Sequence, residues 1–260
     1  SGFLGHYTFR PYRKLVDALA RQGVIVLFID DPRAGHRHAP RAGLYATAAA
    51  AGTQVAGIQV FDALRGLDYL LTRRDVDPGK IGIAGYAEGA LQATTAAAIE
   101  PRFRFVVALD GMTTYEAMVQ AAASGEGPED PSAFVAGILG FADVDRVAAC
   151  IAPRPVLVAG RAGGGEPAAA GYARVLGTVR GVYKLYDAED CVAEVAREPS
   201  DEMGSTLPEV TRWLETSVLP ALDGSDPPLP WCPMPENSDF SMLTGLLQTQ
   251  VSPNLATRWS

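Results

Sequence analysis

The 260-residue sequence predicts an α/β fold built on a doubly wound, mostly parallel sheet. Three observations carry that expectation. Apolar runs of strand length recur along the chain: "VIVLFID" (Val24–Asp30), "FRFVVALD" (Phe103–Asp110) and "RPVLVAG" (Arg154–Gly160). These runs are apolar throughout rather than alternating, as suits strands covered on both faces. Segments with helical spacing separate them, and such alternation implies parallel strands joined by right-handed crossovers.

Taken in order, "YRKLVDALARQ" (Tyr12–Gln22) places Leu15, Val16 and Leu19 on one helical side and stops at Gly23. The Val24–Asp30 strand follows, then a loop, "DPRAGHRHAPRAG", punctuated by Gly and Pro. Gln54–Arg73 is a long helix with Val55, Ile58, Phe61, Leu64, Leu67 and Leu71 on one stripe. The turn "DVDPGK" leads into a short strand, "IGIA", and an Ala-rich helix to about Ile99. After the Phe103–Asp110 strand, residues 111–150 carry Gly, Ala and Met with weak helical pieces, as a cap-like insertion would. The Arg154–Gly160 strand, a helix over "EPAAAGYARVLG", a strand over "GVYKLYD" (Gly181–Asp187) and a Ser205-capped helix to Thr216 complete a domain over residues 1–218. From Leu219 the chain turns Pro-rich, and residues 219–260 read as an arm ending in an apolar segment, "FSMLTGLLQTQV".

A net charge of −8 and a pI near 4.9 argue against nucleic acid or an anionic membrane as the main partner. No run of about 18 apolar residues predicts a membrane span. The three cysteines, Cys150, Cys191 and Cys232, lack metal-ligand spacing, so no metal site is expected. No cofactor is implied. The chain starts at Ser1 without a methionine and shows no secretory signal.

One stretch carries the functional question. "KIGIAGYAEGA" (Lys80–Ala90) has the strand–turn–helix context of a G-x-S-x-G nucleophile elbow, with Ala87 where the serine would stand. Together with "VIVLFIDDPRAGH" and "DVDRVAACIAPRPVLVAG", the chain resembles the α/β-hydrolase superfamily over roughly residues 1–219. It looks most like the dienelactone hydrolase and acetyl xylan esterase branch. The resemblance implies an α/β-hydrolase fold whose N-terminal strands are trimmed or missing here. It also implies a nucleophile, an acid and a histidine in that chain order, because a serine needs a base and the base needs an orienting carboxylate.

The corresponding positions are Ala87, Gly163 and Asp201. Glu166 is the nearest carboxylate to the acid position, and the chain's histidines are His6, His36 and His38. The expectation that follows is a catalytically degenerate protein. It would serve as a non-catalytic structural or accessory subunit of a larger assembly, joined to other protein subunits through the C-terminal arm and the trimmed sheet edge. The alternative is a ligand-binding protein or enzyme that uses the same pocket without the triad.

In an open α/β sheet ligands bind beyond the C-terminal strand ends. The polar residues expected there include Asp30, Asp31, Glu88, Asp110, Arg161, Asp187, His36 and His38. Glu88 reads as a helix-opening carboxylate or a general base. Asp110 reads as a turn residue or an alternative acid, and His36 and His38 as loop anchors or ligands. Cys191, among Asp187, Glu189 and Asp190, sits where a thiolate is disfavoured.

Overall fold

The computed structural model describes residues 10–33, 41–125, 133–161, 165–197 and 206–223. Helices α1 (Arg10–Arg21), α2 (Arg41–Ala50) and α3 (Val55–Leu71) precede strand β1 (Ile83–Tyr86) and helix α4 (Glu88–Ile99). Strand β2 (Val106–Leu109), helices α5 (Tyr115–Ala123) and α6 (Val144–Ala149), strand β3 (Val156–Arg161) and helix α7 (Gly165–Lys184) follow. Strand β4 (Val192–Arg197) leads to helix α8 (Thr206–Trp213), a π-helical turn over Leu214–Val218 and helix α9 (Leu219–Asp223). The four strands stand in the order β1-β2-β3-β4 and every pair is parallel.

Both faces of this sheet are covered. Val106, Ala108, Val156 and Val158 face a core that includes Leu67 of α3, Ala90 and Ala97 of α4, Val144 of α6 and Val175 and Val179 of α7. Val107, Leu109, Leu157 and Ala159 face Leu15 and Leu19 of α1 and Val210 and Trp213 of α8. The apolar-throughout sequence of β2 and β3 is the direct consequence, because neither face of these strands meets water.

Two expected strands are corrected. Val24–Asp30 is extended but has no ladder pairing among the described residues. Val24 and Val26 pack on the α1/α8 side and Leu27 and Ile29 lie over Gly66 of α3. Yet Ile25, Leu27 and Ile29 remain 45%, 38% and 39% exposed, so the run is not buried on both faces. Gly181–Asp187 is not a strand either. Helix α7 continues to Lys184 because Val175, Val179 and Tyr183, four residues apart, all seat in the core at 1% exposure or less. The last strand is instead Val192–Arg197, which the sequence reading passed over among its acidic neighbours. Asp187 therefore stands before β4, at the end of the sheet remote from the β1–α4 turn.

Candidate active site at the strand–helix turn

Strand β1 ends at Tyr86, helix α4 begins at Glu88, and the whole change of direction falls on Ala87. Its backbone has φ 54° and ψ −120°, a sparsely populated conformation for a residue with a side chain, costing on the order of 1–3 kcal/mol. The turn is held from outside: Ala87 N donates to Leu109 O at 2.7 Å and Ala90 N donates to Ala87 O at 3.0 Å. Glycine is required at two contacts. A Cβ on Gly85 would stand 1.9 Å from Gly89 O, and one on Gly111 would stand 2.3 Å from Ala87 O. The elbow geometry expected from "GYAEG" is present, with a methyl group at its apex.

Asp110 lies beside this apex. It follows β2, the strand paired with β1, and the next residue, Gly111, touches the Ala87 backbone. Asp110 is buried, has φ 49°, and its N–H donates to Ala159 O at 2.9 Å. Ala87 on the elbow and Asp110 beside it thus both carry positive φ on non-glycine side chains, as does Asp187 at the other end of the sheet.

Glu88 opens α4, as expected, and it is embedded in a polar cluster. Arg33 Nη1 donates to Glu88 Oε2 at 2.9 Å, while Arg33 Nε and Nη2 fork onto the two Asp31 oxygens at 2.6 and 2.7 Å. Gln92 Nε2 donates to Glu88 Oε1 at 2.8 Å and to Gln59 Oε1 at 2.7 Å, and Gln59 Nε2 in turn donates to Asp31. Burial works to raise the Asp31 carboxyl, but the hydrogen bonds and charge of Arg33 override it and hold the group below its usual range. Burial also opposes the Arg33 charge, and Asp31 and Glu88 more than compensate, raising its pKa further. With both oxygens of Glu88 engaged, this carboxylate anchors α4 to the loop after Asp30 and to α3.

Sequence reasoning found Glu88 and Asp31 but not that Arg33, Gln59 and Gln92 join them. The available signal in the sequence was Gln59, a polar residue one helical turn after Val55, and the structure leaves it only 9% exposed. His36, His38, Gly163 and Asp201 lie outside the described residues. Glu166 lies in the first turn of α7 and is exposed. Burial and the neighbouring Asp190 both push the Cys191 thiol up. Among the described residues no three His, Cys, Asp or Glu side chains are grouped to hold a metal ion, and no helix is long and apolar enough to cross a membrane.

No family model matches the chain. Among solved structures, a Bacteroides fragilis protein that carries the name of an acetyl xylan esterase aligns with a TM-score of 0.59 and 16% identity, over 69% of this chain and 48% of that one. The glucuronoyl esterase catalytic domain of Hypocrea jecorina aligns at TM-score 0.52 and 16% identity, over 62% and 51%. A glucuronoyl esterase from Caldicellulosiruptor kristjansonii aligns at 0.51 and 20%, over 65% and 52%. The fold is of the α/β-hydrolase type. In sequence, the Bacillus subtilis protein YtaP, which carries the name of a hydrolase, is 30% identical over 105 residues, 40% of this chain and 35% of that protein. The chain thus spans about half the length of these solved structures and about a third of the curated relative.

These likenesses overturn the expected role as a non-catalytic structural or accessory subunit. The proteins that share the fold are named as esterases and the sequence relative as a hydrolase, and none of these names is that of a structural subunit.

Proposed function

We propose that this chain serves a hydrolase function directed at a carboxylic ester, with the scissile carbonyl seated over the Ala87 elbow. The observation that carries this reading is the elbow itself: Ala87 keeps φ 54° and ψ −120°, and Gly85 and Gly111 keep the close approaches that such a turn demands. A strained, over-determined turn at the C-terminal end of a parallel sheet is where this architecture binds ligands. The first-turn N–H groups of α4 point their partial positive charge at the same place, where an oxyanion would form. The esterase and hydrolase names of the proteins above support the reaction class.

Ala87 supplies no nucleophile, so water takes that role. Asp110, beside the elbow, accepts a proton from the water as its oxygen bonds to the carbonyl carbon. The tetrahedral oxyanion is met by the α4 N-terminus. On its collapse the ester C–O bond breaks, and the proton held by Asp110 passes to the leaving alcohol. Glu88 is tied by Arg33, Gln59 and Gln92 and acts as a positioning residue rather than a base. In the same reading Gly163 and Asp201 mark positions where the resemblance would have placed acid and histidine, and neither is needed by this route.

The test is saturable turnover of a panel of 4-nitrophenyl esters by the purified protein, run beside a fluorophosphonate probe. Turnover without labelling is the expected result. Absence of turnover on every ester overturns the reading, and labelling of any serine replaces water attack by an acyl-enzyme route.

A further inference from the structure

We draw no further inference here: the strongest candidate, the apolar edge where the extended Val24–Asp30 segment lies beside α3 and exposes Ile25, Leu27 and Ile29, is an unpartnered face and nothing in the structure shows what covers it.

Discussion

At the scale of single residues, Ala87 and its glycine neighbours make opposite demands on substitution. The backbone at Ala87 is already strained, and a hydroxyl added to its Cβ changes none of the contacts that hold the turn. Ala87→Ser is expected to shift stability by less than about 0.5 kcal/mol, as for a change that touches no buried partner. Gly111→Ala places a methyl group 2.3 Å from a backbone oxygen at φ 138°, so it is expected to destabilise by about 3 kcal/mol or more. Thermal denaturation of the two variants checks both signs together.

Asp31 sets a pH dependence at the same scale. Its folded pKa is depressed, so its contribution to stability is present above the unfolded value near 3.8 and is lost as pH falls through the lower folded value. The melting temperature of the protein should therefore drop as pH falls below about 4, and Asp31→Asn should flatten that part of the curve. A variant that loses as much on acidification as the parent would show that Arg33 does not stabilise the Asp31 carboxylate.

The sequence disclosed the elbow because glycines at fixed offsets, a strand before and a helix after are local features. It did not disclose the Asp31–Arg33–Glu88–Gln59–Gln92 cluster, whose members are up to 61 positions apart and meet only once α3 and α4 have packed.

At the scale of elements, α7 and β4 show what local pattern misses. "GVYKLYD" has β-branched and aromatic residues in strand proportions, but Val179 and Tyr183 lie four apart with Val175 and belong to one helical face. "VAEVAR" alternates instead: Val195 faces the core, while Glu194 on the other side meets Arg180 at 2.7 Å. Spacing identified the core strands β2 and β3 because both of their faces are apolar. It misjudged Val24–Asp30, since a continuous apolar run looks the same whether or not a neighbouring strand is there to pair with it.

Arg154 joins elements in a way no pattern predicts. Its guanidinium donates to the carbonyls of Ala97, Glu100, Phe103 and Ile151, tying the end of α4 and the approach to β2 to the segment before β3. The side chain is buried, and Arg154→Met removes the donor to the Ala97 and Phe103 carbonyls, while those of Glu100 and Ile151 keep backbone donors. A loss of about 3 kcal/mol is expected, on the scale of one to three per stranded polar group, which lowers the melting temperature by roughly 6–12 °C. A drop below about 2 °C would mean that water replaces the guanidinium at little cost.

For the whole molecule, the fold class was legible in full and the function was not. Strand–helix alternation fixes a parallel sheet with helices on both faces, and β1 to β4 with their two cores realise it. Ala87, Gly163 and Asp201 at the three triad positions suggested a scaffold without chemistry, because such a motif is read at its reacting residues. The structure retains what surrounds that apex: a strained turn, a helix N-terminus and a buried carboxylate one strand away.

Hydrolysis by water with Asp110 as base is the central claim, and kcat for a 4-nitrophenyl ester in the protein and in Asp110→Asn tests it most directly. Loss of a general base predicts a fall of about 10²- to 10⁴-fold in kcat, with KM and the melting temperature little changed. An Asp110→Asn protein that folds and turns over like the parent would contradict it.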